Sequence, residues 1–230
     1  MFICTKYIKL SMEIQNKCKC KVVKILLGRQ KSDVEKFVKF YKGDFGKEVL
    51  RREARYLRNE LKGRKRILDI GCGIGSFEEM LPELNIIGLD SSKEALEEAG
   101  KRSDKKFVLG DAENLDFPDG FFDGAFSVTT LEFLEDYKKA VDEVARVLER
   151  GGKFVAMILN PESEYFKSHI QGPASYFGRM KHINPKEIER YISKFFTATG
   201  EYFLGMRCQE IFDTHDKHLA ALYVVKGTKV

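Results

Sequence analysis

The sequence predicts an α/β fold, a doubly wound and mainly parallel sheet of seven strands with a terminal antiparallel hairpin. Three observations predict it. From residue 66 onward, short apolar runs alternate with amphipathic segments, the pattern of parallel strands joined by crossover helices. A glycine-rich turn, GCGIG at 71–75, follows the first of those runs. The last two apolar runs, around YFLGMRCQEI and HLAALYVV, have no helical segment between them, which suggests a hairpin at one edge.

At 230 residues, 43% hydrophobic and 33% charged, the chain is sized for one globular domain with an extension. No apolar run approaches the roughly 18 residues of a membrane span. The first residues, MFICTKYIKLSMEIQ, have neither a continuous apolar core nor a small-residue cleavage site, so no secretory signal is expected. Five scattered cysteines fit a reducing cytoplasm better than a disulfide framework. A net charge of +5 permits an anionic substrate without demanding nucleic acid. Four Gln and six Asn beside abundant Lys and Glu follow the compositional trend of thermophiles.

Residues 1–32 read as an N-terminal extension and 33–230 as the domain. Within the extension, KCKCKVVKILLG reads as a strand or a docking arm, and Met12 offers an alternative start that would leave 1–11 untranslated. VEKFVKFY places Val34, Phe37, Val38 and Tyr41 on one helical face, and KGDFG interrupts it. A second helix over KEVLRREARYLRNEL carries Val49, Leu50, Ala54, Leu57 and Leu61 as its apolar stripe. RILDI is a buried strand, NIIGLD the second, KKFVLGD the third, FFDGAFSV the fourth and KFVAMIL the fifth. Ser91 and Glu94 have capping-box spacing for the helix after the second strand. Asp136 starts the helix DYKKAVDEVARVLERGG and Gly151 stops it. Asn184 followed by Pro185 opens another helix. In such sheets ligands bind beyond the carboxyl ends of the strands.

The glycine turn narrows the ligand. A dinucleotide fingerprint is G-x-G-x-x-G, but here Gly71, Gly73 and Gly75 are followed by Ser76, so the third glycine comes one place early. Asp69 ends the preceding strand. A carboxylate there repels a pyrophosphate and favours a ligand with a positive group near the turn. Both features argue against a nicotinamide dehydrogenase.

ILDIGCGIG resembles the first motif of the class I S-adenosylmethionine-dependent methyltransferases, and the resemblance extends over about residues 40–226. It implies their Rossmann-like fold, S-adenosylmethionine as cofactor, and cofactor contacts from Asp69, Gly71, Cys72, Gly73, Gly75, Asp90, Ser91, Asp111, Ala112 and Val128. Asp90 lies nineteen residues past Gly71, where the family places an acid on the ribose hydroxyls. VLGDAENLDFPDGFFD looks like the adenine segment, with Asp111 on the amino group and the Ala112 amide on a ring nitrogen. Cys72 is expected to fill space rather than react. Phe45 and Gly46 are candidates for closing over the cofactor's carboxylate end.

Two departures bear on the substrate. Many relatives carry a His after Leu-Glu below the fourth strand, and here that place holds Phe133. The Asn/Asp-Pro-Pro-Tyr cluster used on exocyclic amines of bases is absent after the fourth strand. The expected function is therefore methyl transfer to a small-molecule acceptor. The rivals are an RNA or protein methyltransferase gripping its substrate through Arg51, Arg52, Arg55, Arg58 and Arg64-Lys65-Arg66, and a non-catalytic cofactor-binding protein.

The segment 160–184 is too long for an ordinary strand-to-helix connection and carries Tyr165, Phe166, Tyr176 and Phe177 with His169, Arg179 and His182. It reads as a lid over an acceptor pocket, with His182 and Tyr176 as the catalytic candidates. MKHINPKEIERYISKFF resembles the stretch in quinone-type methylases where a His precedes the helix cap. No metal is expected, although Cys208, His215 and His218 lie near the terminal hairpin.

Overall fold

The computed structural model describes residues 32–170 and 176–230. The expectations for residues 1–31, including the alternative start at Met12, lie outside the described residues.

Two helices open the described chain, α1 (Asp33–Lys42) and α2 (Asp44–Glu60). The interruption between them is confined to Gly43, and Asp44, Phe45 and Gly46 already belong to α2. At Gly46 a side chain would overlap the Phe40 carbonyl, so the elbow closes only around a glycine.

The alternation follows as β1 (Ile67–Ile70), α3 (Ser76–Met80), β2 (Ile86–Asp90), α4 (Lys93–Ala99), β3 (Lys106–Leu109), β4 (Phe122–Val128), α5 (Tyr137–Val147), β5 (Leu148–Leu159), α6 (Glu164–His169), α7 (Pro185–Ile192), β6 (Phe196–Arg207), β7 (Glu210–Phe212) and β8 (Ala220–Lys229). Short 3-10 turns cover Leu131–Phe133 and Phe177–Arg179.

The sheet runs in the order β3-β2-β1-β4-β5-β8-β6-β7. It has eight strands rather than the expected seven, because Glu210–Phe212 adds a short edge strand. Strands β1 to β5 pair in parallel. The terminal strands are antiparallel as expected, but β8 inserts between β5 and β6 instead of sitting at the edge. Its buried run AALYVV suits a strand covered on both faces.

Three local expectations shift. The cap of α4 is Ser92, whose hydroxyl accepts from the Ala95 amide, not Ser91. The Asp90 carboxylate takes the Ser92 amide, so the chain is still turning at Ser91. Helix α5 begins at the Asp136 cap as expected but ends at Val147, and Gly151 makes a left-handed turn inside β5. The Asn184 cap and Pro185 start α7 as expected.

Two apolar cores cover the two faces. One joins α5 and α7 through Val141, Val144, Ile188 and Ile192 to Phe122, Phe154 and Tyr223. The other joins α2 and α3 through Leu50, Leu57, Leu61 and Phe77 to Phe126, Met157 and Val224. Helix α2 therefore runs back along the sheet. Its first turn brings Phe45 onto Tyr165, beyond the end of β5.

Candidate active site

Strand order reverses between β1 and β4, the switch point where such sheets bind ligands. Gly71, Gly73 and Gly75 all have positive φ, at 78°, 53° and 70°, a region that side chains enter at a cost. Each glycine answers a different need. At Gly71 a side chain would overlap Thr130 from the β4 turn. At Gly75 a methyl would stand 2.9 Å from the Ala99 methyl of α4. At Gly73 nothing lies within 4 Å, so its outer face borders open space.

Asp90 holds the turn from the β2 side. Its Oδ2 accepts from the Gly73 amide at 2.8 Å and its Oδ1 from the Ser92 amide at 2.8 Å. Each carboxylate oxygen keeps a further lone pair. Beyond β3, Asp111 accepts from the Glu113 amide at 2.8 Å and stays exposed, while Ala112 is buried behind it. Val128 ends β4, and its carbonyl accepts from the Thr130 hydroxyl at 3.1 Å.

Beneath the turn lies an uncompensated acidic pocket. Asp69 is buried against the Glu78 carboxyl, and its Oδ2 has no basic or amide partner among the described residues. Glu78 of α3 is also buried, and among the described residues no Lys, Arg or His hydrogen-bonds to its carboxyl oxygens. Burial first, then Glu78 and Asp90, drive the Asp69 carboxyl far above the usual carboxylate range. Burial likewise raises Glu78. The same burial and acids push the Cys72 thiol up, which leaves it an unreactive filler.

The second half of the site lies over β4 and β5. Thr129 has φ 49°, unusual for a β-branched residue, and its amide is held by the Met157 carbonyl at 2.8 Å. The Tyr176 hydroxyl donates to the Thr129 carbonyl at 3.3 Å. Around the Tyr176 ring stand Phe133, at 4.7 Å between centroids, and Phe37 of α1, at 5.4 Å. Phe45 stacks on Tyr165. Arg179 reaches Asp33 at 2.7 Å, so the segment expected as a lid meets α1 across the strand ends. Its root is firm: buried Asn160 donates to the Lys217 and Ala220 carbonyls, and buried Ser163 caps α6. Residues 171–175 lie outside the described set.

The two catalytic candidates make different contacts. His182 turns towards Leu134, with Nε2 3.1 Å from that carbonyl, and its ring packs edge-on against Tyr137. Its backbone amide donates to the Glu132 carbonyl. These contacts lie just before the Asn184 cap of α7. Among the described residues no group of three or more His, Cys, Asp or Glu is disposed to hold a metal, and His215 engages the Tyr202 carbonyl.

Three acids escaped the sequence reading: Glu78 beneath the turn, Glu53 and Glu132. Glu53 sits on the inward face of α2, 4% exposed, and burial alone lifts its carboxyl to about 8. A charge within the stripe of Val49, Leu50, Ala54 and Leu57 was the available signal. Glu132, between Leu131 and Phe133, is fully buried and raised by burial to about 7.

The comparisons with known proteins match this geometry. A family model described as a methyltransferase domain matches residues 68–156, the stretch from β1 into β5. In structure, the chain is similar to an S-adenosylmethionine-dependent methyltransferase of Thermotoga maritima, with a TM-score of 0.73 at 24% identity over 86% of this chain and 96% of that one. Residues 68–156 therefore carry a methyltransferase domain. By sequence the methyltransferase domain is similar to a demethylmenaquinone methyltransferase of Thermotoga maritima, 37% identical over 112 residues, which are 46% of this chain and 49% of the relative. It also resembles an uncharacterized protein of Methanocaldococcus jannaschii, 29% identical over 70% of each chain. The chain spans about half the length of the first relatives it matches. Among the described residues, no helix of the methyltransferase domain is long and apolar enough to cross a membrane.

Proposed function

We propose that this chain transfers a methyl group from S-adenosylmethionine to a small-molecule acceptor by in-line displacement. The observation that carries the reading is the buried Asp69 carboxyl, its Oδ2 without a basic or amide partner among the described residues, under a turn of three left-handed glycines. Carboxyls without a basic partner at that place suit a ligand bearing ammonium and sulfonium charge, and do not suit a pyrophosphate. Asp90 would accept from the ribose hydroxyls through its remaining lone pairs. Asp111 and the Ala112 amide would meet the adenine, and the open space at Gly73 would take the body of the ligand.

The cofactor supplies a methyl carbon already activated by its sulfonium. The chain supplies alignment and exclusion of water. Thr130 against Gly71 fixes the distance between the β1 and β4 turns. Tyr176, held by Thr129, and the rings of Phe37 and Phe133 would wall the acceptor. Burial keeps the Tyr176 hydroxyl protonated, so it donates rather than abstracts. His182 is better suited to position the segment than to relay protons.

Two named relatives, the demethylmenaquinone methyltransferase and a sterol 24-C-methyltransferase of Aspergillus fumigatus, support a small acceptor. The arginine run gives less support to a phosphate grip. Arg51 and Arg52 pair with Glu48, Arg58 pairs with Glu83, and Arg64 donates to the Gly151 carbonyl. Calorimetry with S-adenosylhomocysteine, then a screen of thiols, quinols, phenols and amines with methyl-labelled cofactor, tests the proposal. No binding of S-adenosylhomocysteine would sink it. Binding without turnover on any acceptor would favour the non-catalytic reading.

A further inference from the structure

Four charged side chains are buried among the described residues: Glu53, Asp69, Glu78 and Glu132. No Lys, Arg or His among those residues is buried with them. Asp69 and Glu78 underlie the glycine turn and belong to the cofactor reading above. Glu53 and Glu132 do not. They come from different elements, α2 and the turn after β4, and act on two tyrosines, Tyr41 and Tyr176. Burial drives the Tyr41 hydroxyl well up, with Glu53 the strongest charge acting on it. Glu132 acts in the same way on Tyr176.

Both acids are incomplete. Glu132 Oε1 accepts from the Leu159 amide at 2.9 Å, but among the described residues Oε2 has no partner. Glu53 Oε2 has none either. A buried, unpaired carboxyl is costly; a neutral acceptor hydrogen-bonds to it but leaves its charge uncompensated, and an anionic one repels it. A cationic donor supplies both the hydrogen bond and the opposite charge. The neighbouring rings of Phe37, Phe133 and Tyr176 add their negative faces, as aromatic cages do for amines.

We propose, on the methyl-transfer reading above, that the acceptor is an amine entering as its ammonium ion, drawn in by Glu53 and Glu132. The step balances. The ammonium gives one proton to the Glu132 carboxylate and becomes a free amine. Its nitrogen lone pair forms the bond to the methyl carbon as the carbon–sulfur bond breaks, and those electrons neutralise the sulfonium. The products are the methylated ammonium ion and S-adenosylhomocysteine, and the proton on Glu132 passes to water. Lifted to about 7 by burial, Glu132 is matched to holding a proton near neutral pH.

The test uses the full chain and three probes of one shape: 2-phenylethylamine, 2-phenylethanol and 2-phenylethanethiol. Hydroquinone is the fourth. The expected result is methyl transfer to the amine alone. Glu53→Gln should raise KM for the amine tenfold or more with a smaller change in kcat. Glu132→Gln should lower kcat and remove the acid limb of its pH profile. S-adenosylhomocysteine affinity should stay near that of the native protein in both. Transfer confined to hydroquinone, the alcohol or the thiol would overturn the inference, as would unaltered amine kinetics in both variants. If the variants fail to fold or no probe turns over, thermal shift on the native protein decides. Stabilisation by the amine beyond its neutral analogues supports the inference, and equal or no stabilisation by the amine overturns it. Failure of S-adenosylhomocysteine to bind would instead defeat the methyl-transfer reading itself.

Discussion

The Asp90 carboxylate accepts the Gly73 amide at 2.8 Å, so the acid ending β2 clamps the glycine turn that ends β1. One residue thus shapes the turn and faces the open side of the site. Asp90→Ala removes charge-assisted hydrogen bonds, each worth about 1.5–3 kcal/mol. S-adenosylhomocysteine affinity should fall tenfold or more by calorimetry. Asp90→Asn should bind better than Asp90→Ala but below the native protein, because the amide keeps one acceptor. Unchanged affinity in Asp90→Ala would take Asp90 out of the site.

Gly71 and Gly73 share positive φ but differ in their surroundings. Gly73→Ala meets no protein atom, so its folding penalty is the left-handed conformation alone, about 1–2 kcal/mol. Its methyl would occupy the open space, so cofactor affinity should drop sharply while the fold persists. Gly71→Ala adds overlap with Thr130 and should lower the melting temperature further. The measurement is a melting curve beside a binding isotherm for each variant. Equal melting losses with unaltered binding would contradict this division.

The fold was legible because its signals are local. Strand-length apolar runs, the glycine turn, the Asp136 cap and the Asn184-Pro185 start each sit within a few residues. The insertion of β8 between β5 and β6 was not legible, since strand order depends on pairing across the whole chain. The shift from Ser91 to Ser92 has a similar cause, because the Asp90 side chain decides where α4 begins. The site divides the same way. Asp69 and Asp90 were visible from their place at strand ends. Glu132 was hidden by context, since only the fold puts it under Tyr176 and beside the Leu159 amide. Glu53 carried a signal, a charge on an apolar stripe, but the arginines around it drew the reading towards a substrate grip.

Tyr176 and His182 should separate in a kinetic test. Tyr176→Phe loses the donor to Thr129 but keeps the ring against Phe133 and Phe37, so the acceptor KM should change by less than in Tyr176→Ala. His182→Ala should lower stability through the lost Leu134 and Tyr137 contacts, by about 1–2 kcal/mol, with kcat near that of the native protein. A large fall in kcat for His182→Ala at full stability would restore it as a proton relay.

The buried acids also set how stability follows pH. The folded-state carboxyls of Glu53 and Glu132 are raised from 4.5 to about 8 and about 7, so between those limits the native state binds more protons than the unfolded chain. Stability from these groups is full below the unfolded value and is lost as pH rises through the folded value. Ion-paired Glu60, Glu143 and Glu201 are lowered instead, and their contribution is lost as pH falls through their folded values. The two trends place the optimum of the ligand-free protein near pH 5, about the unfolded carboxylate value. Melting temperature should then decline from about pH 5.5 to about pH 8.5, with a slope of at most about 1.4 kcal/mol per pH unit for each raised group. Glu53→Gln and Glu132→Gln, which cannot ionise, should each flatten the decline. Unfolding curves across that range check the sign. A ligand-free profile that rises towards pH 8.5, or variants as steep as the native protein, would mean that these carboxyls are already compensated.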